Sequence, residues 1–122
     1  MPDPKAFGRE GESIAAVHLK KRGYRILELN HRTPLGEIDI VARDRETIVF
    51  VEVKSRRSDR FGHPKWAVTP AKQRKISMAA LYYLKSTGQM ERKARFDVVA
   101  IRRSGRRAEV EIVKNAFELA YL

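Results

Sequence analysis

Hydrophobic positions along the chain follow two rhythms. After Asp3-Pro4, which reads as a helix cap followed by a first-turn proline, Phe7, Gly11, Ile14, Ala15, Val17, His18 and Leu19 recur at roughly helical spacing. That pattern predicts a helix through Arg22, stopped by Gly23. The rhythm then changes to alternation. Tyr24–Leu29 reads as a strand, Asn30–Pro34 as a turn-rich connection, and Leu35–Arg43 as a second strand. Asp44–Thr47 is a turn, and Ile48–Lys54, rich in β-branched residues, is a third strand. Residues 55–66 lack periodicity and read as a basic loop. Thr69-Pro70 opens a second helix carrying Ile76, Ala79, Ala80, Tyr83 and Leu84, with Gly88 as its stop. Arg95–Arg102 and Ala108–Lys114 are predicted strands flanking a basic turn, and Asn115 is expected to cap a short last helix. The predicted order is αβββαββα. A meander followed by a helical crossover implies an α/β fold with a mixed central sheet flanked by helices.

The second and third strands carry the candidate chemistry. With Asp44–Thr47 as the turn, Arg43 falls opposite Ile48, and the same register sets Asp39 opposite Glu52 and Glu37 opposite Lys54. One face of this hairpin then holds Glu37, Asp39 and Val41 beside Phe50, Glu52 and Lys54. The other holds Ile38, Ile40 and Ala42 beside Val49, Val51 and Val53, and is expected to be core. Like charges opposed across a sheet are destabilising, so something should compensate Asp39 and Glu52. A divalent cation would, because Mg²⁺ prefers hard carboxylate oxygens. Lys54 lies one pair away, where it could orient an attacking water or neutralise charge on a phosphorane. The plain alternative is a Glu37–Lys54 cross-strand ion pair with Asp39 and Glu52 in solvent.

Charge favours the functional reading. The chain has 122 residues, 43% of them hydrophobic, which is enough for one domain spanning residues 1–122. It holds 26 Lys and Arg against 15 Asp and Glu, a net charge of +11. Such a field suits a polyanion partner, since each cation at a phosphate releases a condensed counterion. The acidic residues are uneven: residues 61–122 carry 13 basic but only 5 acidic side chains. Lack of cysteine excludes disulfide scaffolds, thiol catalysis and cysteine-ligated zinc, and fits a cytoplasmic setting. No apolar run approaches the roughly 20 residues of a membrane span, and the polar first dozen residues do not read as a signal peptide.

The ordered motifs resemble a known group of enzymes. Gly36-Glu37-Ile38-Asp39 followed by Val51-Glu52-Val53-Lys54 is similar to the signature of the PD-(D/E)xK, or restriction-endonuclease-like, nucleases. Within that superfamily the closer resemblance is to the YraN-like bacterial proteins. It extends over nearly the whole chain: Gly8-x-x-Gly11-Glu12-x-x-Ala15, Gly23-Tyr24, Asn30-x-Arg32, Lys72–Lys75 and Arg95–Val99. It implies a restriction-endonuclease-like core, Asp39 and Glu52 as ligands of Mg²⁺ or Mn²⁺, and Lys54 as the catalytic lysine. Similarity to archaeal Holliday-junction resolvases adds Glu12 as a third catalytic carboxylate and metal ligand. Ile38 stands where the superfamily often has proline.

Other residues are weighed beside these. Glu12 also reads as a first-turn acid favoured by the helix dipole. Lys72, Gln73 and Lys75, early in the second helix, could hold a phosphate at its N-terminus or form a solvated basic face. Arg56, Arg57, Arg60 and Lys65 could grip a nucleic-acid backbone, with Phe61 and Trp66 able to stack on unpaired bases, although lone aromatics usually anchor a loop to the core, the reading favoured for Trp66. His18, Tyr82 and Tyr83 read as structural, and Asp97 as a hydrogen-bonded or Arg95-paired residue. The expected function is a Mg²⁺-dependent endonuclease acting on DNA rather than RNA, with branched or damaged DNA among its candidate substrates. The alternative is a non-catalytic nucleic-acid-binding module that keeps the fold. A single small domain offers little surface for target selection, which leaves room for a homodimer or a protein partner.

Overall fold

A computed structural model of the chain describes residues 4–56, 68–104 and 106–119. The elements are α1 (Pro4–Lys21), β1 (Arg25–Thr33), β2 (Gly36–Asp44), β3 (Thr47–Arg56), α2 (Pro70–Ser86), β4 (Ala94–Ser104) and β5 (Arg107–Phe117). The strands form one sheet in the order β1-β2-β3-β4-β5. All neighbours are antiparallel except β3 and β4, which run parallel because α2 carries the chain across between them.

Both helices stop where glycine lets them. Gly23 has φ 92°, with Tyr24 N donating to the Leu19 carbonyl at 3.0 Å and Gly23 N to Lys20 at 3.0 Å. Gly88 repeats the device at φ 66°, with Gln89 N on Leu84 at 2.7 Å. These are Schellman closures, in which a left-handed residue lets the last carbonyls find donors. At the other end of α2, Thr69 is the N-cap, its Oγ1 accepting from Lys72 N at 3.2 Å, and Pro70 begins the helix.

The sheet is covered on both faces. Under α1 lie Ile40, Ala42, Val49, Val51, Val99 and Ile101, packed with Ala15, Ala16 and Leu19. Under α2 lie Val41, Ile48, Phe50, Phe96 and Val98, packed with Ile76, Ala79, Ala80, Tyr83 and Leu84. Tyr83 meets Phe50 edge-on at 5.8 Å and His31 edge-on at 5.1 Å, so it is a packing residue. Each fully buried Phe, Leu or Ile here contributes about 1.5–3 kcal/mol. Ile38 departs from the expected alternation. It joins the α2-side cluster although its neighbour Ile40 belongs to the α1 side, so the strand changes facing at Asp39.

Three sequence expectations change. The connection expected at residues 30–34 is largely strand, since β1 runs to Thr33, with Asn30 at φ 51° inside it and the β1–β2 register shift earlier, between Ile26 and Glu28. The turn between β2 and β3 has only two residues, because Asp44 and Thr47 themselves pair. The helix expected from Asn115 is absent. β5 continues to Phe117, which is buried and stacks on Phe96 at 4.8 Å, while Asn115, at φ 51°, takes up a register shift. Burying that aromatic ring favours keeping the chain in the sheet over starting a helix.

Candidate functional site

The β2–β3 register is the one read from the sequence, but the ladder stops short of the acidic residues. Pairing runs from Asp44↔Thr47 to Ile40↔Val51 and no further. Beyond that point the Asp39 carboxylate does the work of a backbone carbonyl: Val53 N donates to Asp39 Oδ2 at 2.9 Å. The backbone donor freed by the opening ladder is thereby satisfied. Asp39 and Glu52 are consequently neighbours, within hydrogen-bond reach of each other, at the point where two central strands part.

Glu52 is the more enclosed of the two, and Asp39 is half-buried. Glu52 is 4% exposed. Burial, and then the adjacent Glu52 carboxylate, push the Asp39 carboxyl up to about 7; the Val53 hydrogen bond opposes this, and Glu12 adds to it. Two cations come in from one side. Lys72 Nζ lies 2.6 Å from Glu52 Oε1, and Lys54 Nζ 3.6 Å from the same oxygen. Burial lowers the Lys54 pKa, and so does the Lys72 ammonium beside it. Burial also works against the Lys72 charge, but the Glu52 carboxylate outweighs it and the net shift is upward.

α1 brings Glu12 to this site through its neighbour. A Cβ built on Gly11 would lie 2.8 Å from Ser55 Oγ, with Val53 and Ile101 at 3.9 Å, so the missing side chain lets the helix rest on β3 and β4. Glu12 follows directly and is close enough to raise the Asp39 pKa. It lies more than two turns into α1, which removes the first-turn explanation for it. Among the described residues, however, no three His, Asp or Glu side chains converge closely enough to hold a metal ion. Gly36 has a comparable role on the other face. At φ 152°, with Lys75 O 3.3 Å from where its Cβ would stand, it lets the start of β2 approach the α2 backbone.

The other candidates separate. Glu37 lies opposite Arg32 in the β1–β2 register, and among the described residues no ion pair joins it to Lys54, which turns to Glu52 instead. Gln73 spends an amide donor on the Val68 carbonyl at 2.9 Å, and Lys75 is exposed. Arg56 ends β3, and its side chain is outside the described set. Arg57, Arg60, Phe61, Lys65 and Trp66 lie outside the described residues. The Lys72–Glu52 contact was not anticipated. Its sequence position at a capped helix start signals proximity to an anion but not which one.

Asp97 shows what the same device looks like when it is structural. It is fully buried and accepts Asn115 N at 2.9 Å where the β4–β5 ladder shifts, much as Asp39 accepts Val53 N. Its partners differ. Tyr24 Oη donates to it at 2.9 Å, and Arg95 Nε at 3.0 Å, with Arg95 Nη2 reaching on to Asp44 at 2.7 Å. Burial and Asp97 together push the Tyr24 hydroxyl up to about 12. Asp97 is therefore neutralised within the fold, as the sequence suggested for its Arg95 pairing, whereas Asp39 is set against another carboxylate.

Residues 11–101 match the model of the uncharacterised protein family UPF0102. The chain is 54% identical over 112 residues to a UPF0102 protein of Desulfosudis oleivorans, covering 92% of this chain and 89% of the relative. It is also 54% identical to a UPF0102 protein of Geobacter metallireducens over 117 residues, 96% of each chain. A UPF0102 protein of Syntrophus aciditrophicus is 54% identical over 114 residues, 93% of this chain and 90% of the relative. With a family match over most of its length and relatives at this identity, the chain belongs to the UPF0102 family.

Proposed function

We propose that this protein is a metal-dependent endonuclease that hydrolyses phosphodiester bonds in DNA, on a core of the restriction-endonuclease-like type. The observation that carries the reading is the Asp39–Glu52 carboxylate pair, Glu52 buried and Asp39 half-buried, at the parting of β2 and β3, with the Lys54 ammonium 3.6 Å from Glu52. Facing two carboxylates together is costly, and a divalent cation joining them would offset that cost. The donor set fits a hard divalent ion, with two carboxylates in reach of each other and Glu12 near enough to be felt. Asp39 and Glu52 would hold Mg²⁺ or Mn²⁺, with Glu12 adding negative charge nearby, and the ion when bound supplies polarisation of a phosphoryl oxygen and a more acidic attacking water.

The remaining work falls to side chains already in place. Lys54, its pKa lowered by burial and by Lys72, can hold the attacking water by a hydrogen bond and neutralise charge gathering on the phosphorane oxygens. Lys72 fixes the rotamer of Glu52 through its 2.6 Å contact. Lys75, exposed in the early turns of α2, is available to a flanking phosphate, and the helix N-terminus adds its partial positive charge.

A second reading has one observation in its favour. The Lys72 ammonium already compensates Glu52, so the pocket could be a charge-balanced remnant in a nucleic-acid-binding module that does not cut. Incubation with linear, nicked, flapped and four-way DNA, and with RNA, in Mg²⁺ or Mn²⁺ separates the two. The nuclease reading expects DNA cleavage that Asp39→Ala abolishes while binding persists. Intact DNA throughout, with binding retained, would favour the second.

A further inference from the structure

The opposite end of the sheet carries a basic cleft of about 760 Å³. It lies at the β2–β3 hairpin, five residues of β3 away from Glu52, or roughly 16 Å at strand rise. Five cations line it: Arg22, Arg45, Lys93, Arg95 and Lys114. They come from four separate stretches of chain, the end of α1, the hairpin tip, the start of β4 and β5, so they are not the solvated face of one element.

Two of the five are already balanced. Arg95 is held by Asp97 and Asp44, and Lys114 lies 3.7 Å from Asp44. Asp44 is thus occupied, and Glu46 is the other acid on the lining. Arg22, Arg45 and Lys93 make no ion pair among the described residues, and all three are exposed. Arg45 also adopts φ 57°, a left-handed conformation that short hairpin loops normally give to Asn or Gly. The fold accepts a strained backbone there and sets a guanidinium at the mouth of the cleft.

We infer that this cleft is a second nucleic-acid contact, binding backbone phosphates at the end of the sheet remote from Asp39. Guanidinium groups match phosphate oxygens two at a time, and a cleft so polar does not suit an apolar ligand. The inference rests on the nucleic-acid partner of the reading above but not on its chemistry. A protein that binds through the cleft and never cleaves leaves it standing.

Binding of a labelled 20-nucleotide strand and a 20-base-pair duplex is measured in EDTA, by fluorescence anisotropy across a KCl series. The parent is compared with Arg45→Glu/Lys93→Glu and with Lys20→Glu/Lys85→Glu, which makes the same change in net charge at exposed positions outside the cleft lining. The cleft variant is expected to weaken duplex binding at least tenfold at 0.1 M KCl and to flatten the salt slope by about 2, the loss of two phosphate contacts. The control is expected to lose less than threefold. Equal losses in both variants, or none in the cleft variant, would overturn the assignment. So would a mononucleotide that displaces the 20-mer at equal affinity, because a backbone contact needs consecutive phosphates.

Discussion

Asp39→Asn should make the protein more stable at neutral pH, and the gain should vanish in mild acid. Asn is the same shape as Asp and keeps an oxygen for the Val53 N–H now bonded at 2.9 Å, so packing is undisturbed. What it removes is ionisation. Burial and the facing Glu52 carboxylate raise the Asp39 pKa from 3.8 to about 7 in the fold, so the native state favours the protonated acid. The native state then binds more protons than the unfolded chain at every pH between these values, and stability falls as pH rises through that window. About 1.4 kcal/mol per unit over roughly three units sets an upper bound of roughly 4 kcal/mol. Attraction of Lys72 and Lys54 to the ionised pair offsets part of this, and a measured difference of about 2–4 kcal/mol above pH 7 is expected. Urea denaturation of both proteins at pH 4, 5, 6, 7 and 8, in EDTA, reads it directly. Contributions from other titrating groups cancel in the difference. The two curves should meet near pH 4, diverge up to about pH 7 and run parallel beyond. Parallel curves across the whole range would show that Asp39 is an ordinary surface carboxylate and refute the reasoning.

Other expectations follow from the same contacts. Lys72→Met takes the ammonium away from a 4%-exposed carboxylate and should cost about 1–3 kcal/mol in EDTA, with Mn²⁺ restoring more stability to the variant than to the parent in a thermal melt. Tyr24→Phe removes a donor from fully buried Asp97 and should cost about 1.5–3 kcal/mol by urea denaturation, with DNA cleavage at permissive temperature unchanged. Gly36→Ala sets a Cβ 3.3 Å from Lys75 O at a φ of 152° and should lose about 1–3 kcal/mol; an unchanged melting temperature would mean β2 and α2 do not approach as closely as described.

The hairpin was legible because side-chain alternation and a short turn leave few registers, and the Asp44–Thr47 turn selected one of them. Alternation could not show the ladder opening after Ile40↔Val51, since that depends on Asp39 capturing Val53 N across the gap. Helix stops were readable from Gly23 and Gly88, whose positive φ values no other residue adopts so easily. The end of the chain is not legible in the sequence: Asn115 looks like a cap, whereas the burial of Phe117 against Phe96 is a long-range contact with no local signature. Likewise, Lys72 and Gln73 looked alike as early-helix polar residues. Only packing of α2 on the sheet turns one to Glu52 and the other to the Val68 carbonyl. Pairing of Asp97 with Arg95 was within reach, being an i, i+2 strand neighbour, but the Tyr24 hydroxyl comes from 73 residues away.

The central claim is that Asp39 and Glu52 form a cation site, and anomalous diffraction from crystals soaked in Mn²⁺ tests it most directly. The account predicts one anomalous peak between the Asp39 and Glu52 carboxylates, with the Lys72 ammonium moved off Glu52, and no peak in Asp39→Asn crystals. A Glu52 carboxylate still held by Lys72, with no manganese beside it at millimolar concentration, would contradict it.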